Sequence, residues 1–476
     1  MDRDTLYNAL RSRDPRFDGV FFVGISSTGI YCRPVCPARL PKREHCTFYE
    51  TAAAAERDGY RPCLRCRPEL SPGRARIDAP DRLAARAYAR IAEGGLNGRS
   101  VRDLARELCV GERHLRRVVV RTFGVSPVEL AQTQRLLFAK QLLTDTDLPV
   151  SRVAYASGFS SLSRFNALFR ARYRMSPTEL RRARNDGEPV VGAIRLRLAY
   201  RPPLAWDRLL AYLAGRATPG VELVDGGTYA RAVCLDGHAG WFSVRHAPVD
   251  APQLEVTVSD ALAPVLMPLI ARIRRLLDLD AEPAAIDAHL SRDPRLAPLV
   301  ERTPGLRVPG SIDGFELAVR AVLGQQVSVR GATTLAGRLA AAYGDPAPDG
   351  FPPGLTRLPV RPERLAEVDP GELREIGLPL ARARTLVLLA QAVLAGEVRL
   401  APSSDPAEAE ASLQRIPGIG PWTAQYVAMR ALRWPDALPA ADLGLRRALG
   451  TKEVEVAAEP WRPWRAYATM HLWNSL

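Results

Sequence analysis

The sequence predicts a multidomain α+β protein, and three observations carry that expectation. Four cysteines stand in two short-spaced pairs near the start, Cys32-x3-Cys36 and Cys63-x2-Cys66. The hydrophobic period changes along the chain, from helical spacing to alternation and back. Turn-rich stretches mark the changes, at Ser71-Pro-Gly-Arg, at Asn185-Asp-Gly-Glu-Pro and near Pro309. At 476 residues the chain exceeds one ordinary core, so three or four domains are expected.

The first expected domain covers residues 1–75 and is built around the cysteines. Residues 80–185 read as all-α, because Leu83, Ala87 and Ile91, then Val101, Leu104 and Leu108, recur at helical spacing. Residues 190–305 read as α+β. There Ile194, Leu196 and Leu198 alternate with arginines, and Leu254, Val256 and Val258 alternate likewise, with helical stretches near 204–214 and 262–278. Residues 306–476 return to helices broken by Gly and Pro, with a Pro-rich loop from Pro346 to Pro362.

Hydrophobic residues make up 47% and charged residues 25%, the balance of a globular chain in water. No run of about 18 apolar residues stands out, so no membrane partner is expected. No secretory signal is legible at Met1, and a cytoplasmic, nucleoid-associated location is expected. The net charge of +14 is unevenly spread. Residues 1–185 hold 34 Lys and Arg against 19 Asp and Glu, while the remainder is close to neutral. A basic excess of that kind points to an anionic partner, most commonly nucleic acid.

Thiolates at these spacings suit a tetrahedral zinc site, since each short loop aims two sulfurs at one ion. Arg33, Arg61, Arg65 and Arg67 flank them, more cations than a structural clip needs. Together with Arg43-Glu44, Phe48-Tyr49 and Gly59-Tyr-Arg-Pro-Cys-Leu-Arg-Cys, the segment over about residues 1–70 resembles the metal-binding domain of the bacterial Ada response protein. The resemblance implies one Zn2+ held by Cys32, Cys36, Cys63 and Cys66. It also implies that Cys32 accepts the methyl group of a methylphosphotriester in DNA. Cys46 fits neither pair and reads as a buried thiol; His45 is the competing ligand.

Val101 to Arg117 reads as helix, tight turn with Gly111, then basic helix, and Val153 to Asn166 repeats the scheme with Gly158 in the turn. The second helices would offer Arg113, His114, Arg116 and Arg117, then Ser161, Arg164 and Asn166, to the major groove of double-stranded DNA. Two such units joined by a helix over Leu130 to Leu143, and followed by Arg174-Met-Ser-Pro-Thr-Glu, resemble the AraC family across about residues 83–184. That implies sequence-specific promoter binding and allows RNA polymerase as a further partner. A monomer is expected.

Leu413-Gln-Arg-Ile-Pro-Gly-Ile-Gly-Pro-Trp-Thr-Ala-Gln-Tyr is a helix-hairpin-helix signature. Gly418 and Gly420 let the backbone approach a DNA phosphate, which the start of the following helix faces. With Asp442 downstream, and the flanks Val319 to Val329 and Trp461 to Trp473, residues 190–476 resemble the AlkA-type DNA glycosylases. The last domain is then an all-α helix-hairpin-helix glycosylase domain. The resemblance implies hydrolysis of the N-glycosidic bond of 3-methyladenine and related bases in a flipped nucleotide. Asp442 would stabilise the electron-poor sugar, Trp473, Trp422 and Tyr426 would stack on the cationic base, and Gln326 would occupy the wedge position.

Trp422 stands where bifunctional relatives carry a lysine, so no Schiff-base step is expected, and no cofactor is needed for the glycosylase. Trp461 and Trp464 read as core. No Pro-Cys-His-Arg string is present, so the alkyl-guanine transfer activity of full-length Ada is not expected. The competing reading is mainly a transcriptional activator with a residual glycosylase half, and the presence of Asp442 argues against it.

Overall fold

The computed structural model describes residues 1–73, 82–182, 192–247 and 251–476. The expected linker at 185–189, and Arg74 of the earlier one, lie outside the described residues. The chain divides into two compact units. The first holds Met1–Pro202, Ala247–Ala271 and Leu279–Glu282; the second holds Pro203–His246, Arg272–Asp278 and Pro283–Leu476. No helix among the described residues is long and apolar enough to cross a membrane.

The first unit begins with helix α1 (Arg3–Ser12) and four short strands: β1 (Phe22–Ile25), β2 (Ile30–Cys32), β3 (Cys46–Tyr49) and β4 (Arg61–Pro62). They lie in the order β3-β1-β2-β4, and helix α2 (Ala52–Arg57) connects the last two in sequence. Successive strand residues face opposite sides. Cys32 therefore joins Val23 and the other cysteines, while Tyr31, one residue earlier, joins Phe22, Ala52 and Ala55 on the reverse face.

Seven helices follow: α3 (Arg82–Ala92), α4 (Val101–Glu107), α5 (Glu112–Phe123), α6 (Pro127–Asp145), α7 (Val150–Ala156), α8 (Leu162–Tyr173) and α9 (Pro177–Arg182). Capping boxes at Ser100/Asp103 and Ser126/Glu129 satisfy the first N–H groups of α4 and α6. Helix α6 buries residues all round because elements pack on it from several sides. One is the reverse face of the cysteine-bearing sheet, through Leu137. Polar contacts fix that junction. The buried Glu56 carboxylate accepts from Tyr31 Oη at 3.0 Å and from Thr133 Oγ1 at 2.7 Å. Lys140 Nζ meets Glu69 at 2.5 Å with both side chains 1% exposed.

The α+β segment supplies β5 (Ala193–Ala199), α10 (Trp206–Ala214), β6 (Glu222–Asp225), β7 (Thr228–Leu235), β8 (His238–His246) and β9 (Gln253–Ser259). Strands β5 and β9 pair antiparallel in the first unit. In the second, β6, β7 and β8 form an antiparallel meander. Asp236 and Gly237, both at positive φ, make the tight turn between β7 and β8. The stretch read as one domain from 190 to 305 thus contributes strands to both units.

The remaining helices are α11 (Leu266–Leu276), α12 (Pro283–Leu290), α13 (Ala297–Arg302), α14 (Gly314–Leu323), α15 (Val329–Tyr343), α16 (Pro362–Ala366), α17 (Leu380–Leu394), α18 (Pro406–Gln414), α19 (Pro421–Arg430), α20 (Leu443–Leu449), α21 (Val454–Ala457) and α22 (Arg465–Trp473). Leu323, Leu386, Leu389 and Val427 belong to one core of the second unit, where α14 packs on α17 and α19. Trp461 and Trp464 are buried, as their reading as core requires.

Candidate metal centre, nucleic-acid interface and active site

The parallel pairing of β4 with β2 brings the two cysteine pairs together. Arg61 N donates to Gly29 O at 2.9 Å and Cys63 N to Tyr31 O at 3.0 Å, so Cys63 begins its loop beside Cys32. The sulfurs of Cys32, Cys36, Cys63 and Cys66 all lie within 4.8 Å of one another, and all four residues are buried. Tetrahedral zinc–thiolate bonds of about 2.3 Å place sulfurs just under 4 Å apart, so the four residues fit that ion. Arg33 N donates to Cys66 Sγ at 3.4 Å, and the Arg33 side chain pairs with Asp18. Cys46 is buried but its sulfur donates to Lys42 O at 3.4 Å, outside the cluster; His45 bonds Ser26 instead of joining it.

A cleft of about 250 Å³ opens onto this centre. Cys32 and Cys36 line it, Cys63 and Cys66 do not, and Arg11, Arg13 and Arg39 stand at its walls. All four residues are nonetheless nearly closed off from solvent, Cys32 at 4% and the other three at 7%.

Helices α5 and α8 present the groove-reading candidates at their starts. Arg113, His114, Arg116 and Arg117 are exposed on α5; Arg116 reaches Glu112 at 2.7 Å and Arg117 reaches His114 at 3.1 Å. Ser161 caps α8 by accepting from Arg164 N, which leaves its O–H free to donate, while the Arg164 side chain is exposed and Asn166 half-buried. Gly111 falls in the first turn, as expected. Gly111 has φ −72° and serves as the N-cap of α5, whereas the left-handed residue of that turn is Cys109, at φ 59°. In the second turn Gly158 does take the left-handed position, at φ 84°.

In the second unit Asp442 caps helix α20. Its Oδ1 accepts from Leu445 N and from Trp473 Nε1, each at 3.0 Å, and its Oδ2 from Trp422 Nε1 at 2.9 Å. Trp422 stacks on Tyr426 with ring centres 5.4 Å apart, and Tyr426 lies 6.2 Å from Trp473. One carboxylate thus clamps two indoles and fixes an aromatic box around itself.

Gly418 sits at φ +91°, where a Cβ would fall 2.2 Å from Thr385 Oγ1; Gly420 precedes α19 with open space around it. Helix α19 opens with Pro421, so the N–H groups of Trp422 and Thr423 have no partner one turn back and suit an anion. Replacing Gly418 by Ala is expected to destabilise the second unit by about 2–4 kcal/mol, from left-handed strain plus overpacking. The Gly420→Ala change is expected to cost no more than about 1 kcal/mol. All seven tryptophans lie in the second unit, so their fluorescence melt reads it alone.

The loop between α14 and α15 exposes Gln326 and Val327, as the start of α15 does Val329, and Gln326 is left-handed at φ 55°. Its neighbour Gln325 ties the loop to the hairpin, donating to Gly418 O and Thr423 Oγ1, both at 2.9 Å. Sequence reasoning missed Gln325, although it sits inside the motif. It also missed Tyr212 and Arg430, which back the aromatic box: Arg430 Nη1 donates to Tyr426 Oη at 2.7 Å, and the Tyr212 and Tyr426 hydroxyls lie 3.4 Å apart.

Four family profiles match this chain: the metal binding domain of Ada over residues 5–69, a helix-turn-helix domain over 104–183, the AlkA N-terminal domain over 195–313, and the HhH-GPD superfamily of base excision DNA repair proteins over 319–454. They define the class: a helix-hairpin-helix base excision repair protein joined to an Ada-type metal module and a helix-turn-helix domain. The DNA-3-methyladenine glycosylase 2 of Escherichia coli is 38% identical over 58% of this chain and 95% of its own length. The Mycobacterium tuberculosis protein described as a probable bifunctional transcriptional activator/DNA repair enzyme AlkA is 43% identical over the whole chain and 97% of its own. The chain belongs to that Ada–AlkA fusion family. Among solved structures, the 3-methyladenine DNA glycosylase of Archaeoglobus fulgidus shares the fold, with a TM-score of 0.51 at 23% identity, over 58% of this chain and 97% of that one.

Proposed function

We propose that this protein senses and repairs alkylated DNA: a monofunctional glycosylase that hydrolyses the N-glycosidic bond of 3-methyladenine and related bases, joined to a methyl acceptor and a transcription regulator. The single observation that carries the glycosylase reading is Asp442 held between the two pocket indoles. An alkylated purine already bears positive charge, so it leaves with the bond's electron pair as a neutral base and needs no general acid. The electron deficit moves to the sugar, where a carboxylate stabilises it until water adds. Trp422, Tyr426 and Trp473 hold the flipped base by their faces. Gly418 and Gly420 anchor a phosphate, and Gln326 fills the vacated stack.

At the other end, Cys36, Cys63 and Cys66 would hold one zinc ion with Cys32 as the fourth ligand. Zinc bound there keeps the thiolates deprotonated at neutral pH. The Cys32 sulfur attacks the methyl carbon of a methylphosphotriester; the S–CH3 bond forms, the C–O bond breaks, and an ordinary phosphodiester leaves with the electron pair. Cys32 and Cys36 line the cleft, which supports an acceptor from that pair. Loss of one negative charge from the site weakens its repulsion of DNA. Arg113, His114, Arg116 and Arg117, with Ser161, Arg164 and Asn166, would read a promoter and allow contact with RNA polymerase.

The division into residues 1–75, 80–185, 190–305 and 306–476, a monomeric state and a nucleoid-associated location complete the reading. Incubation with methylated DNA is expected to release free 3-methyladenine. Mass spectrometry after exposure to methylphosphotriester DNA is expected to find one methyl group on Cys32. No released base overturns the first reading; a methyl on Cys46, or none, overturns the second.

A further inference from the structure

Arg430 is 5% exposed, and its guanidinium is used up on neutral acceptors. Its Nε donates to Pro309 O at 2.8 Å, its Nη2 to Gly310 O at 3.0 Å and its Nη1 to Tyr426 Oη at 2.7 Å. Among the described residues it makes no ion pair. A buried guanidinium without a counter-charge is strongly disfavoured. Of its three acceptors only the phenol can ionise.

The surroundings add to the demand. From the end of α10, Arg216 lies 3.8 Å over the Tyr212 ring, and Arg430 itself stands 5.1 Å from that ring and 5.5 Å from the ring of Tyr426. From α14, Arg320 donates to Thr333 Oγ1 at 2.5 Å but leaves a buried Nη1 without a partner. The nearby carboxylates are already engaged: Glu222 by Tyr229, Thr218 N and Arg231, and Glu316 by Arg231. Asp442 is engaged by the Trp422 and Trp473 indoles. Three cations therefore converge behind a pocket whose proposed substrate is itself a cation. With a neutral phenol between them, that arrangement would repel the base.

We propose that Tyr426 is the counter-ion of Arg430, and that its phenolate forms a negative wall of the base pocket that favours cationic bases over neutral ones as pH rises. The proposal rests on the glycosylase reading for its substrate, but the ionisation itself does not. Tyr212 completes the arrangement, since its hydroxyl is within reach of the Tyr426 oxygen and can donate to a phenolate there. Burial by itself would push the Tyr426 phenol up; Arg430, then Arg216, outweigh it and bring it down to about 8. Burial instead pushes Tyr212 up to about 12, so it keeps its proton. The phenolate is thus present above about pH 8 and lost below it.

The test uses the full chain and two DNA probes, one containing 3-methyladenine, a cation, and one containing 1,N6-ethenoadenine, which is neutral through this range. The ratio of their excision rates is expected to rise about three- to tenfold between pH 7 and 9, the effect of one charge behind a pocket wall. In Tyr426→Phe the ratio is expected to stay flat, and in Tyr212→Phe the rise is expected at higher pH. Ultraviolet difference titration is expected to show one tyrosine ionising well below the rest in the wild type, absent from Tyr426→Phe. A wild type in which every tyrosine titrates at the ordinary value of about 10 overturns the proposal. So does a ratio whose rise survives in Tyr426→Phe. Failure to release 3-methyladenine at any pH instead removes the glycosylase reading, and the ultraviolet titration still decides the charge of Tyr426.

Discussion

Replacement of Asp442 by Asn is expected to lower the single-turnover rate of 3-methyladenine release by about 10³-fold, with binding to DNA carrying an abasic analogue changed by no more than about threefold. The side chain stays nearly isosteric, and its Oδ1 can still cap α20 through Leu445 N. What disappears is the charge proposed to stabilise the sugar and one of the two acceptor oxygens. With Oδ1 kept as the cap, the amide nitrogen would face Trp422, donor against donor, where the carboxylate Oδ2 now accepts at 2.9 Å. Some loss could therefore come through a loosened box, and Trp422→Phe separates the effects. That variant removes one indole donor but keeps an aromatic face and the charge, so its loss is expected near tenfold and mainly in base binding, as cation–π contributions of about 1 kcal/mol imply. Equal losses in the two variants would assign Asp442 a positioning role alone.

The parts of these sites that were legible in the sequence are those whose chemistry is local. Cys32-x3-Cys36 and Cys63-x2-Cys66 each place two sulfurs within one loop, and only the meeting of the loops needed β2 and β4 to pair. Gly418 was legible because its left-handed backbone and its close approach to Thr385 both exclude a side chain. Gly111 falls in its expected turn as the N-cap of α5, while the left-handed residue there is Cys109, two residues earlier.

Contacts across long stretches were not legible. Tyr212 lies in an amphipathic helix, where an aromatic reads as core, and it meets Tyr426 only because α10 returns against α19. Arg430, at the end of an apolar helix, reads as a surface cation until its carbonyl partners 120 residues away are seen. Glu56 to Thr133 is the same case in the first unit, a buried bond across 77 residues that ties the reverse face of the cysteine-bearing sheet to α6.

That junction sets the scale of the second large effect, removal of the metal. Stripping zinc with a chelator and a thiol reagent is expected to unfold the module over residues 1–73, because structural zinc contributes an apparent 10–16 kcal/mol (about the whole stability of a small domain). The four-stranded sheet is too small to stand without it: β2 has three residues and β4 only two. The loss is expected to spread. Without the sheet, Glu69 leaves Lys140 as an unpaired buried cation on α6, and breaking such a pair costs about 3–5 kcal/mol. Helix α6 joins the two helix-turn-helix units, so DNA binding by the first unit should fall with the metal. The second unit should be untouched, and its tryptophan fluorescence melt is expected to be unchanged while far-ultraviolet circular dichroism falls. Cys66→Ala should reproduce the loss and Cys46→Ala should not, since only the former removes a sulfur of the cluster. A stripped protein with native dichroism and full DNA affinity would show that the cysteines hold the sheet without a metal.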